Sequence, residues 1–336
     1  MPFQAGPLNL ITDIDGINVG NATDADVNTG ATAIIFDEPT VASCQILGGA
    51  PGTRDTEMLE PHNVVDAVDA IVLSGGSAFG LAASGGVQDW LHEQGRGLQV
   101  GPARVPIVPS AILFDLANGG NKDGKQNRYY HDMGYQAAAA AAGGQFAMGT
   151  VGAATGALTA NLKGGLGSAS TYLPGYEITI GACVAVNALG AATIGETPHF
   201  WAAPFELGDE YGGLGMPAAF PANAQDLRIK FRGYKTSNTT LGIIATDAKL
   251  SKAQCKRLAM ATHDGFTRAL WPSHTPFDGD IIFGASTCKK EFVGTVDEMI
   301  DLCAAASATM ARAVARGVYE ATQSSGDILP CWSQLR

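Results

Sequence analysis

Short, almost wholly apolar runs recur along this chain, at residues 68–73, 176–187, 240–246 and 281–285, with helical patterns between them. Each run is the length of a strand and too apolar to keep one face in water, as expected for strands buried on both sides. Helical periodicity spans about 81–94, 132–142, 252–270 and 296–321, so strands and helices alternate in both halves. No repeat and no clean boundary interrupts the pattern. It predicts one layered α/β domain rather than two. With 336 residues, 46% of them hydrophobic and 16% charged, the chain can fill such a core. Its 43 glycines and many alanines suit closely packed layers and tight turns.

Charge narrows the partners. A net charge of −11 argues against nucleic acid, which needs clustered Lys and Arg, and against an anionic membrane surface. No basic-then-apolar leader opens the chain, and no apolar run approaches the roughly 18 residues of a membrane span. The expectation is a soluble, cytoplasmic protein. Cys44, Cys183, Cys255, Cys288, Cys303 and Cys331 are widely spread with no C-x-x-C, so free, mostly buried thiols are expected. The six histidines include no H-x-x-x-H or H-E-x-x-H pair, and neither metal nor cofactor is implied.

Taken in order, residues 8–19 alternate as a strand broken by a turn at Asp15-Gly16, and 31–36 read as a second strand. The run at 68–73 enters Ser74-Gly75-Gly76-Ser77-Ala78-Phe79-Gly80 and then a helix. That layout aims backbone N–H groups above the helix start. It is neither G-x-G-x-x-G nor G-x-S-x-G, since Phe79 stands at the last glycine of the latter. Gly75, Gly76 and Ser77 are candidate donors to a substrate or oxyanion, with a purely structural turn as the alternative. Two prolines in 104–116 suggest an edge strand or extended crossing. The glycine-rich stretch 149–170 contains one lysine, Lys163, and the run at 176–187 finishes on Asn187. Between 196 and 230 the pattern dissolves into proline, glycine and aromatics, as in a mobile linker.

The polar stretch Gly233-Tyr234-Lys235-Thr236-Ser237-Asn238-Thr239-Thr240 runs straight into apolar Leu241-Gly242-Ile243-Ile244-Ala245. It predicts self-cleavage between Asn238 and Thr239. A threonine hydroxyl is a weak nucleophile that needs a base beside it. A chain terminus supplies one, because an α-amine titrates at about 7.7–8.0. A loop-to-strand junction holds that hydroxyl rigidly, and positioning supplies much of the rate. The plain alternative is a strand preceded by turn formers.

The chain also resembles the L-aminopeptidase/D-esterase family, which includes β-peptidyl aminopeptidases and nylon-oligomer hydrolases. The similar stretches are 9–20, 48–59, 70–81, 105–116, 151–170, 181–190, 237–246 and 275–283. The segment 196–230 and the tail after about 321 fall outside them. The resemblance implies a four-layer αββα sandwich, 1–336, cut into a 1–238 α chain and a 239–336 β chain that stay together. It further implies a homo-oligomer, a tetramer by preference, acting on small peptides or amides. It places the nucleophile on Thr239, the oxyanion amide of V-A-V-N on Asn187, and the acidic pair of D-G-D on Asp278 and Asp280. The lysine of the glycine-rich segment falls on Lys163. Where the family often has I-Y-D-L near the substrate, this chain has Leu113-Phe114-Asp115-Leu116, so the hydroxyl at Phe114 is missing. On their own chemistry, an amide aimed at a developing oxyanion stabilises charge present only in the transition state. Aspartates at i and i+2 on a strand point the same way and can orient a threonine. Without the resemblance, a solvated turn, a satisfied strand end and a surface lysine would serve as well.

The expected activity is hydrolysis of short peptides, amino-acid amides or esters, β-peptides or ω-amino-acid oligomers through an acyl-enzyme. Two rivals stand beside it: a Thr-nucleophile acyltransferase of the ornithine acetyltransferase type, and an uncut, non-enzymatic assembly protein.

Overall fold

The structure, a computed structural model, describes residues 3–230, 238–324 and 326–335. The first half of the chain supplies β1 (Ile17–Asp24), β2 (Thr29–Ile46), β3 (Thr53–Arg54), β4 (Ala67–Ser74), α1 (Ala83–Glu93), β5 (Leu98–Val100), β6 (Ala103–Val105), β7 (Ser110–Ile112) and α2 (Asn127–Ala139). The second half supplies β8 (Leu166–Leu173), β9 (Ile178–Asn187), β10 (Thr239–Ala248), α3 (Lys252–Ala269), β11 (Ile281–Lys290) and α4 (Val296–Tyr319). Nine strands join in the order β3-β7-β4-β2-β11-β10-β9-β8, with β1 on β2, while β5 and β6 form a separate hairpin.

The 18-residue β2 belongs to both sheet layers. Its first half pairs with β1 and β4, and its second half with β11. A register shift between Ile35 and Thr40 marks the passage. Side-chain alternation then builds three cores. Ala31, Ala33 and Ile35 of β2, with Ala70 and Val72 of β4, pack under α1 and α2. Ile34, Phe36, Ile71 and Leu73 face Leu241, Ile243, Ile281 and Phe283 between the sheets. Val184, Ile244 and Ile282 pack under α3 and α4. The expected αββα sandwich is the result. Helices of one pair come close because they meet at glycine: a Cβ on Gly86 of α1 would lie 1.9 Å from the His131 carbonyl of α2.

Local signals fared as physics allows. Ser251 and Thr295 cap α3 and α4, and Gln254 and Glu298 complete their capping boxes. All six cysteines are free, four of them buried. The strand expected over 8–19 begins only after the Asp15-Gly16 turn, because Asn9 lies at positive φ and a short 3₁₀ turn occupies 11–13. β8 hides within the glycine-rich stretch, where its small residues let α4 approach: a Cβ on Gly167 would lie 1.9 Å from the Ala313 carbonyl.

The region 196–230 differs most from expectation. It has no strand and only a short 3₁₀ turn at Ala203–Phe205, yet it is packed rather than slack. Phe200, Tyr211 and Lys230 are buried, and Phe200 stacks on Trp332. Glu210 receives two hydrogen bonds from Arg312 of α4, at 2.6 and 2.9 Å. Arg312 also reaches the Asn9 side chain and the Ser170 carbonyl. Among the described residues no helix is long and apolar enough to cross a membrane.

Burial alone would raise the Glu210 carboxyl, but the bonds and charge of Arg312 hold it below its ordinary value. The pair's contribution is therefore present above the ordinary Glu range and lost as pH falls through the folded value. Arg312→Leu takes the main cation and two hydrogen bonds from a buried carboxylate, leaving it Asn9, the Leu207 N–H and the more distant Arg316, and should cost about 3 kcal/mol in denaturant unfolding near neutral pH, shrinking below pH ~4.

Candidate active site

β10 begins on Thr239, between two neighbours. On β9 its register partner is Asn187. On the other side β11 runs parallel, with Leu241 opposite Ile281, and a bridge between Asn238 and Asp278 continues that register backwards. Gly279 therefore faces Thr239, and the two aspartates flank it. A Cβ on Gly279 would stand 2.6 Å from the Thr239 hydroxyl oxygen and 2.9 Å from the Ala50 carbonyl, so only glycine fits.

This closeness puts two donors on one oxygen. The Gly279 N–H donates to the Asn238 carbonyl at 2.6 Å, and the Thr239 hydroxyl donates to the same oxygen at 2.6 Å. Asn238 is held from its other side by its N–H on the Phe277 carbonyl, 3.0 Å. Asn238 is wholly buried and Thr239 is 1% exposed, so in the continuous chain solvent barely reaches the hydroxyl. Of the stretch singled out in the sequence, 233–237 lies outside the described residues.

The aspartates sit just before β11 rather than on it. Asp280 accepts from the Thr240 N–H at 2.8 Å and, with its other oxygen, from the His274 backbone and ring Nδ1 at 3.0 and 2.9 Å. Asp278 accepts from the Thr275 and Leu189 N–H groups at 2.8 and 3.3 Å. These bonds go to residues around Thr239, not to its hydroxyl. Burial, followed by the charge of Asp280, pushes Asp278 up to about 6. Burial works against a charged His274, yet its bond to Asp280 raises it overall. Against it, 4.8 Å between ring centres, lies His263, which burial pushes down to about 4. Of the two imidazoles, the one touching Asp280 is therefore the more readily charged. Neither histidine carried any spacing signal.

Asn187 is saturated on its carbonyl side. Its Oδ1 accepts from the Asn118 amide (3.2 Å), the Leu158 N–H (3.0 Å) and Lys230 Nζ (2.8 Å), while its Nδ2 donates to the Phe114 carbonyl at 3.0 Å. The second hydrogen of that amide has no partner among the described residues. Phe114 thus meets the site through its backbone carbonyl, and the residue is half-buried. Lys163 is fully buried but its ammonium pairs with Asp327, and its N–H goes to the Pro330 carbonyl. The lysine that reaches Asn187 is Lys230, from the segment taken for a linker. At the glycine turn all three candidate amides are engaged within the chain: Gly75 on the Gly30 carbonyl, Gly76 on Asp115, and Ser77 on the Leu113 carbonyl.

The model of Peptidase family S58 matches residues 9–328, which takes in every one of these side chains and the 196–230 segment. The chain belongs to peptidase family S58. It is accordingly a hydrolase of peptide or amide bonds. An uncharacterized aminopeptidase of Mycobacterium tuberculosis (strain ATCC 25618 / H37Rv) is 43% identical over 289 residues, covering 83% of this chain and 82% of its own. A 6-aminohexanoate-oligomer endohydrolase of Kocuria sp. (strain KY2) is 26% identical over 304 residues, covering 84% and 76%. Among solved structures, the L-aminopeptidase D-Ala-esterase/amidase of Ochrobactrum anthropi, a variant among the Ntn-hydrolase fold, superimposes with a TM-score of 0.69 at 21% identity. That likeness covers 98% of this S58 chain and 91% of the other, and it bears on the fold.

The raised Asp278 fixes a sign. Its folded-state value lies above the ordinary 3.8, so the stability it contributes is complete below that value and is lost as pH rises through about 6. Relative to the unsubstituted chain, the melting temperature of Asp278→Asn should therefore climb as pH is raised from about 4 to above 6.

Proposed function

We propose that this S58 hydrolase cuts itself between Asn238 and Thr239 and then uses Thr239 as its nucleophile. The observation that carries this reading is the paired donation, from Gly279 N–H and the Thr239 hydroxyl, onto the carbonyl of Asn238. The Thr239 oxygen attacks that carbonyl carbon. The charge that builds on the oxygen meets the Gly279 N–H already in place, the arrangement that favours a tetrahedral intermediate. The bond to the Thr239 nitrogen breaks, its amine takes the hydroxyl proton, and an ester joins Asn238 to Thr239. Water opens the ester, leaving a carboxylate on Asn238 and a free amine on Thr239.

The new ammonium forms between Asp278 and Asp280, whose buried charge it offsets. In its neutral form it is the base that activates the hydroxyl. An incoming amide then takes the place of Asn238, with Gly279 N–H and the spare hydrogen of the Asn187 amide as oxyanion donors. The acyl-enzyme on Thr239 is hydrolysed by water. The fragments 1–238 and 239–336 stay together, since β10 lies mid-sheet and is hydrogen-bonded to β9 and β11 on either edge. Short peptides taken from the amino end are the first substrates, with amino-acid amides or esters and β-peptides beside them. The relative named for 6-aminohexanoate oligomers supports ω-amino-acid oligomers as well. The family resemblance further supports a homotetramer in the cytoplasm.

A denaturing gel of purified protein should resolve two fragments meeting at Asn238/Thr239, and Thr239→Ala should leave one full-length band with no hydrolysis of an aminoacyl anilide. Thr239→Ala that turns over substrate normally would remove the nucleophile from this reading. Gly279→Ala, whose added methyl crowds the hydroxyl and shifts the N–H, should slow self-cleavage by roughly 100-fold as timed on the same gel.

A further inference from the structure

We propose that Lys230 is a positioning residue: its ammonium fixes which way the Asn187 amide faces and so presents a donor to the reaction. This rests on the reading of Asn187 as an oxyanion donor. The two ends of a side-chain amide are nearly the same shape, and their neighbours decide the orientation. Here three donors converge on Oδ1, and Lys230 Nζ makes the shortest of those contacts at 2.8 Å. Rotating the amide would set its NH₂ against an ammonium and two N–H groups, so the donor end must face Phe114 and Thr239. The same Nζ is held by the Leu158 carbonyl at 2.9 Å and lies 3.5 Å from the Asn187 carbonyl.

The backbone is placed for this task. Lys230 N–H donates to the Leu189 carbonyl at 2.9 Å, on the loop whose Leu189 N–H holds Asp278. One loop therefore ties the lysine to the acidic pair. Lys230 is 3% exposed, and among the described residues no carboxylate touches its ammonium. Burial pushes it down to about 7, against the opposing charges of Asp278 and Asp115. A lysine kept so far from water at such a cost is better explained by what it holds than by the space it fills. Lys230 also precedes the proposed cut by a few residues, so the α fragment must stay docked at least this far for the site to remain whole.

The test uses the full-length chain with Lys230→Met, which keeps length and loses every donor, and Lys230→Gln, which keeps one. With folding checked by circular dichroism and melting, Lys230→Met should self-cleave about 10- to 100-fold more slowly, and Lys230→Gln should recover most of that rate. On the cut fraction, kcat for an aminoacyl anilide should fall with KM little changed, the mark of an interaction felt mainly in the transition state. Adding Lys230→Met to Asn187→Ala should slow nothing further. The proposal is overturned if folded Lys230→Met cuts and turns over like the unsubstituted chain. Full additivity with Asn187→Ala, or failure of both Lys230 variants to fold, overturns it equally. If Asn187→Ala itself behaves as the unsubstituted chain, the role of Asn187 fails first, whatever Lys230 does.

Discussion

The hydrogen bond from Gly279 N–H to the Asn238 carbonyl exists because β10 and β11 run parallel and keep their register past the end of the regular ladder. A parallel pair needs a crossover, and α3 supplies it, which is why the two partners lie about forty positions apart in the chain. At the rung where Thr239 faces Gly279 there is no room for a side chain on the second strand. The missing side chain is what lets a backbone donor sit against the carbonyl beside the hydroxyl. Asp278 and Asp280, one residue before and one after Gly279, flank that rung.

The four layers explain why this contact is dry. β10 is central in its sheet, with an apolar core between the sheets on one face and α3 and α4 on the other. In such a setting charge is expensive unless it is partnered, and the titratable groups respond accordingly. Asp278 is pushed up, Lys230 down, and His274 is held up by Asp280. Structural ion pairs behave differently here: Arg312 and Glu210 satisfy each other and serve to fasten the 196–230 segment to α4. Perturbed groups gathered near one buried hydroxyl are the physical pattern that supports the proposed role of Thr239.

Much of the frame was readable from the residues. Apolar runs marked β4, β9, β10 and β11, the Ser251 hydroxyl marked the start of α3, and the Thr295-to-Glu298 box marked the start of α4, because period and capping are local properties. The start of β10 to within a residue of Thr239 and the end of β9 at Asn187 were also legible, and the family resemblance added the D-G-D pair. Those three facts already hold most of the candidate site. What escaped was everything carried by packing. β8 gave no strand signal inside the glycine-rich stretch, because its glycines serve the approach of α4. Residues 196–230 looked like slack because their aromatics and Glu210 find partners on distant elements. The resemblance put the site lysine on Lys163, and no local signal showed that its ammonium pairs with Asp327.

The sequence by itself determined the element types, the alternation that forces a layered α/β fold, and the residue types able to act around Thr239. These follow from short-range geometry and from which side chains must leave water. Only the tertiary structure decided that Gly279 meets the Asn238 carbonyl, that His274 backs Asp280, that Lys230 rather than Lys163 holds Asn187, and that the amides of Gly75, Gly76 and Ser77 are engaged elsewhere. All of those but the His274–Asp280 pair are contacts across tens of residues, and that pair depends on the loop ahead of β11 folding back on itself. No local preference encodes such contacts, because they exist only once the sheets have stacked and their register is set.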